Sequence, residues 1–161
     1  MITDIRLAGQ QLAAPRFDTP KKLISWMGAI QAQDYAMARW AVGIRLKSAT
    51  ARSVGEAFSR GEILRTHVMR PTWHLVAAED IRWMLKLSAR RIRSANESLA
   101  KGRQLELTEQ LHYRCDRLLE KMLEGNRNLT KQQIGEELNR QGIAADTPRL
   151  TRLLMRAETE A

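Results

Sequence analysis

A single cysteine, Cys115, excludes a disulfide framework within the chain, so the fold rests on packing and the cytoplasm is the expected compartment. Long apolar runs are also missing. No stretch approaches the roughly 18 consecutive apolar residues of a membrane span. The opening MITDIRLAGQQLAAPRF carries charge too early, and too little apolar sequence, for a secretion signal. The sequence has no glycine-rich phosphate loop, no His or Cys cluster at metal-ligand spacing and no Gly-x-Ser-x-Gly elbow. Nucleotide-phosphate enzymes, zinc hydrolases and serine hydrolases are thereby set aside, and no metal is expected. Three scattered histidines and an isolated Cys115 point to packing rather than to a nucleophile. Acidic residues are short, 18 against 27 Lys and Arg, for a net charge of +9. That surplus points to an anionic partner, nucleic acid first among them. With 161 residues, 43% of them hydrophobic, the chain sustains one domain or two small ones.

The pattern is mainly helical. TDIRLAGQQL (3–12) reads as a first helix, broken by Pro15 and the FDTP run. Thr19-Pro20 is a helix start, a capping hydroxyl followed by proline at the first helical position. Leu23, Ile24, Met27 and Ile30 then recur at helical spacing, which carries that helix to the glutamines at 31 and 33. Met37, Trp40, Ala41 and Ile44 mark an apolar face of a helix over 35–46, and 54–61 reads as a short helix closed by Gly61. The period then changes: ILRTHVMRPTWHLV reads as a hairpin, 63–69 against 72–76, turning at Arg70-Pro71. Three helices and a hairpin follow the winged-helix order.

A long helix over 78–97 comes next, with Glu79 and Asp80 at its positive end. Arg82, Lys86, Arg90 and Arg93 share about 80° of its circumference. SLAKGRQLEL is the softest stretch, so a first module is expected over 1–100 and the helices of a second over 101–161. A helix at 107–124 is followed by a capping box, Thr130 with Gln133, and Leu129 and Ile134 as its hydrophobic staple. Gly142 closes that helix and Thr147-Pro148 starts another. The chain then ends at Ala161, where a wing is due. The sequence therefore reads as the N-terminal part of a longer protein, with a second winged-helix module lacking its wing.

Candidate site residues fall into three groups. On the last helix, Arg149, Arg152 and Arg156 lie within about 60° of arc and are candidates for DNA contact, as on a third helix of a helix-turn-helix unit. The third helix of the first module pairs Glu56 with Arg60 and makes a poor base reader. The hairpin, with Arg65, Arg70, Thr72 and His74, and the long helix, with Arg82 and Lys86, are the better candidates there. The third group is Gln31, Gln33 and Asp34. Residues two apart on a helix diverge by about 200°, whereas in an extended segment they share a side. The two amides can therefore act together only if the helix stops. An amide does not titrate, but it holds a water, its carbonyl accepting and its NH2 donating. That suits a reaction whose leaving group is already good and whose nucleophile needs placement. Asp34 would add negative charge near a developing cation.

The runs IQAQDYAMARWAVGIRL and ILRTHVMRPTWHLVAAEDIRWML resemble the tandem winged-helix DNA-binding proteins of the AlkZ/YcaQ type. The resemblance covers residues 3–95, and the later helices agree with it. It implies a DNA glycosylase that excises bulky alkylated purines or unhooks interstrand crosslinks from duplex DNA, without metal or organic cofactor. The family motif is Gln, one residue, then Gln or Asp. Gln31-Ala32-Gln33 matches it, so Gln31 and Gln33 would place the attacking water and stabilise an oxocarbenium-like state. Two alternatives remain: a non-catalytic DNA-binding module of the regulator kind, and an interaction fragment that self-associates through a poorly covered Leu150 and Leu154. In a bacterial source the nucleoid would be its place.

Overall fold

The computed structural model describes residues 1–160. Contacts divide the chain into two compact units, Met1–Leu87 and Ser88–Ala161. The first unit opens with α1 (Ile2–Gly9), which buries none of its residues. In α2 (Pro20–Met27) the Thr19 hydroxyl accepts the Lys22 N–H at 3.4 Å and Pro20 opens the first turn, as its residue types dictate. The helix does not reach the glutamines. Gly28, at φ +75°, adopts the left-handed region that glycine enters without a Cβ clash, and it ends α2 a turn early. The chain then runs extended as β1 (Ala29–Gln31), and Ile30 is buried in a sheet rather than on a helix face.

Helices α3 (Tyr35–Gly43) and α4 (Ala51–Ser59) follow, then β2 (Ile63–His67) and β3 (Trp73–Ala77). The expected hairpin is present, with its turn over 68–72. It joins β1 in a three-stranded antiparallel sheet of order β1-β3-β2. One sheet face carries Ile30, Ala32, Ile63 and Leu75 into a core with Leu23, Ile24, Val42 and Val54. The other carries Val76 and Leu64 against Met84 and Leu85. The apolar stripe expected on α3 is inverted. Met37, Trp40 and Ile44 are exposed, and the smaller Ala38 and Val42 are buried where α3 packs closely on α2 and α4.

Helix α5 spans Ile81–Gly102, so Glu79 and Asp80 precede it. The division of the chain falls inside α5 rather than in the soft stretch after it. The latter half of this helix is tied to the end of the chain: Asn96 Nδ2 donates to the Arg152 carbonyl at 2.9 Å, and Arg93 pairs with Glu160 at 2.8 Å. The second unit adds α6 (Glu109–Leu123), α7 (Lys131–Arg140) and α8 (Thr147–Ala157). The capping box forms as its spacing requires. Thr130 Oγ1 accepts the Gln133 N–H at 3.2 Å, and Gln133 Oε1 accepts the Thr130 N–H at 2.8 Å. Helix α8 is capped by Asp146, which accepts the Arg149 N–H at 3.0 Å, so Thr147 is its first residue rather than its cap. Leu150 is buried and Leu154 partly so, packed with Ile134, Leu138 and Leu153. The poor cover expected for Leu150 is not present. What stays open in this unit is an apolar groove of about 370 Å³ among Leu119, Leu123, Ile134 and Leu154.

Candidate functional site

Gln31 closes β1 and Gln33 lies two residues on, with Ala32 buried between them. β1 ends at Gln31 and the chain bends at Gln33, so the two exposed amides bracket the buried Ala32 on a backbone that has left the helix. Ala32 N–H donates to the Trp73 carbonyl at 2.7 Å, as in an ordinary strand pair. The return bond is replaced. Trp73 N–H donates instead to Gln33 Oε1 at 3.1 Å, and the Ala32 carbonyl accepts from Arg65 Nε at 2.8 Å. Arg65 Nη2 also donates to the Gln33 carbonyl at 3.1 Å. Its guanidinium lies 4.4 Å from the Trp73 ring centroid, and the His67 ring lies 3.8 Å from the same ring. Arg65, a candidate for DNA contact, is thus engaged in clamping the backbone that carries both glutamines.

The two amides are left in different states. Gln33 is exposed, but its carbonyl is held by Trp73, so what it offers outward is its NH2. Gln31 is exposed and its amide makes no hydrogen bond among the described residues, so both its carbonyl and its NH2 are available. Asp34 Oδ1 accepts the Met37 N–H at 2.9 Å and caps α3, which is why the chain turns helical directly after Gln33. His74 is 3% exposed and sits opposite Gln31 in the register, its Nδ1 2.8 Å from the Thr72 carbonyl. Burial, with Arg70 and His67 nearby, holds its pKa below the usual 6.5 against the raising effect of that carbonyl. The Thr72 hydroxyl oxygen is buried without a partner. Arg70 is exposed at the hairpin turn, beside Met69 at φ +61°.

Residues 24–161 match the family model of the AlkZ-like proteins, "DNA glycosylase AlkZ-like". The chain belongs to the AlkZ-like DNA glycosylase family. The solved structure of Streptomyces sahachiroi DNA glycosylase AlkZ shares the fold, with a TM-score of 0.71 at 20% identity over 96% of this chain. This chain spans 42% of that one. A comparison with curated proteins returns no match.

The remaining cationic candidates of this AlkZ-like chain separate by environment. Arg82 and Lys86 are exposed on α5 and form no ion pair among the described residues, and the same holds for Arg70. The arginines of α8 are turned inward. The Arg156 side chain is 13% exposed and pairs with Glu109 at 3.0 Å, Glu160 at 3.0 Å and Glu97 at 3.7 Å. Arg149 donates to the Glu106 carbonyl at 3.0 Å and pairs with Asp146 at 3.8 Å. Arg152 is partly buried, its Nη1 3.9 Å from Met155 Sδ. Helical spacing groups these three side chains, but Glu97 and Glu109, distant in sequence, pair with Arg156, and neighbouring Asp146 and the Glu106 carbonyl hold Arg149.

Two features of the candidate site carry little sequence signal. One is the Arg65 clamp, whose only sequence trace is an arginine at alternate spacing to His67. The other is the role of the Trp73 N–H, which no side-chain pattern encodes.

Proposed function

We propose that this chain carries the catalytic glutamines of a DNA glycosylase that hydrolyses the N-glycosidic bond of bulky alkylated purines or crosslinked purines in duplex DNA. The observation that carries the reading is the pair of exposed amides flanking the buried Ala32 where β1 ends, one without a hydrogen bond and one with its carbonyl held by Trp73. A purine alkylated on its ring nitrogen bears positive charge and leaves as a neutral base. The sugar passes through a cation-like state, and water completes the reaction at C1′. The enzyme must therefore place water and favour positive charge at the sugar, tasks that need no titrating base at the moment of attack. The free Gln31 carbonyl accepts a hydrogen bond from that water and leaves an oxygen lone pair for C1′, and the proton released as the C1′–O bond forms passes to solvent. The Gln33 NH2 donates to a sugar or phosphate oxygen and fixes register. Exposed Arg70, Arg82 and Lys86 supply cations for backbone phosphates.

The regulator reading has less support, because the charges of α4 and of the turn that follows it are tied to one another. Arg52 pairs with Glu56 at 2.9 Å and Arg60 with Glu62 at 2.7 Å. The test is base release from duplexes bearing bulky N7-alkylated or crosslinked guanine, by the intact protein and by its Gln31→Ala and Gln33→Ala forms. Release by the native protein, lost about 100-fold or more in either folded variant, is expected. No release from any lesion, with sequence-selective binding that does not need the glutamines, would favour the regulator.

A further inference from the structure

The register places Gln31 and His74 opposite one another across β1 and β3. The Ala32-to-Trp73 bond marks the neighbouring pair as hydrogen-bonded. Gln31 and His74 therefore form a non-hydrogen-bonded pair, the kind in which facing Cα atoms lie about 4.5 Å apart and side chains are closest. Thr66 faces His74 from β2, so Gln31, His74 and Thr66 make one polar row on a single sheet face. His74 is almost wholly buried, and a carbonyl oxygen only accepts. The 2.8 Å contact to Thr72 thus requires the proton on Nδ1 and leaves a lone pair on Nε2. Among the described residues that lone pair has no donor, and the neighbouring Gln31 NH2 has no acceptor.

We propose that His74 is a positioning residue for the glycosylase reaction: a turn of the exposed Gln31 side chain from the conformation seen here lets its NH2 donate to His74 Nε2 and directs the Gln31 carbonyl toward the attacking water. The proposal rests on the glycosylase reading above. Without this contact the amide is free to rotate by half a turn and present its NH2. The NH2 would then bind the water through the lone pair that must attack. Protonation of His74 has the same effect. An imidazolium Nε2–H donates to the Gln31 carbonyl, and the NH2 swings outward.

The charged and titratable groups facing His74 are Arg70 from the hairpin turn and His67 from β2. β1 contributes uncharged Gln31, and the start of α5 contributes apolar Ile81, Met84 and Leu85. Burial first, then the neighbouring Arg70, holds the ring's pKa below its usual value, so the loss is confined to acid pH.

The test uses the intact protein in single-turnover base release between about pH 5 and 8, on a duplex with one N7-alkylated guanine. Proton–nitrogen spectra of the Gln31 side-chain NH2 are followed over the same range. The native rate is expected to fall about tenfold per pH unit below the His74 pKa, and the Gln31 NH2 signal to move with the same midpoint. His74→Gln keeps an acceptor that does not titrate. It should stay within a few-fold of native at neutral pH and lose the acid fall. His74→Leu should lose about tenfold throughout, the equivalent of one hydrogen bond. An acid fall that persists in His74→Gln, or a Gln31 signal indifferent to His74 protonation, overturns the proposal. Because the spectra and His74→Gln stand alone, misfolding of His74→Leu does not remove the test. No base release at any pH, with the Gln31 signal still following His74, supports the hydrogen bond and overturns the glycosylase reading alone.

Discussion

Arg65 is where a clamp and a DNA contact make opposite predictions. Replacing it with methionine keeps an apolar stem over Trp73 and removes the guanidinium. Two bonds from a charged donor are lost, one to the partly buried Ala32 carbonyl and one to the more exposed Gln33 carbonyl. Hydrogen bonds from charged groups contribute roughly 1.5–3 kcal/mol each, less where water competes. The contact with the Trp73 ring adds about 0.5–1 kcal/mol. The expected cost of Arg65→Met is about 3 kcal/mol, which lowers the melting temperature of a unit this size by roughly 12–24 °C. Releasing the extended segment also frees Gln31 and Gln33, and a shift near 1 Å at reacting groups costs about 100-fold in rate.

Two measurements decide between the roles. Thermal unfolding reads the clamp, and duplex affinity over a salt series reads phosphate contact. Arg70→Ala is the control, being exposed and without an ion pair among the described residues. It should leave the melting temperature unchanged and flatten the salt dependence by about one unit of slope. Arg65→Met should do the reverse. A native melting temperature together with a flattened salt slope would refute the clamp and return Arg65 to the DNA contacts.

Cys115 is 1% exposed, and burial with the nearby Asp116 pushes its thiol up to about 12, so the native protein should resist a chromogenic disulfide reagent at pH 8. Reaction as fast as in denaturant would contradict its packed position. His112 is 7% exposed, and burial, then Arg156, holds its pKa below 6.5. The unfolded chain takes up a proton that the folded chain refuses, so stability is full above about pH 6.5 and falls as pH drops from there toward the folded pKa. Denaturant unfolding at pH 7.5 and 5.5 should show this fall, reduced in His112→Gln; identical pH dependence in the two proteins would refute it.

Helix ends were legible where their chemistry is local. Thr19-Pro20, Thr130 with Gln133, and Gly142 each act within a few residues, so residue type and spacing suffice. Strand β1 was not legible. Three residues carry no periodicity, and Ile30 continues the helical spacing of Met27 as well as it fills a strand. The deciding facts are the left-handed Gly28 and a partner strand more than 40 residues away. The α3 stripe failed for a related reason: spacing shows that apolar residues share a face, not that another element covers it. The α8 arginines show the same limit for charge. Their common arc follows from spacing, but Glu97 and Glu109 reach Arg156 only through the tertiary fold.

At the site, spacing stated the condition: two amides two residues apart act together only on an extended backbone. Residues 31–33 are kept out of a helix because Gly28 ends α2 early and Asp34 starts α3 immediately afterwards. The unequal states of the two glutamines lay beyond sequence, since they depend on a backbone N–H of Trp73. That bond also gives a physical reason for a motif that takes Gln or Asp at its second position. The feature common to those two side chains is an oxygen acceptor, not an NH2. Here the acceptor replaces the return bond of a strand pair and ties the chain to β3 just after β1 ends. On the proposed glycosylase reading, the second position is defined by what it accepts from Trp73, and the first by what it presents to water. A donor from Gln33 is an addition that an aspartate could not make, so the two forms of the motif should differ in how they grip the sugar-phosphate backbone rather than in how they place the water.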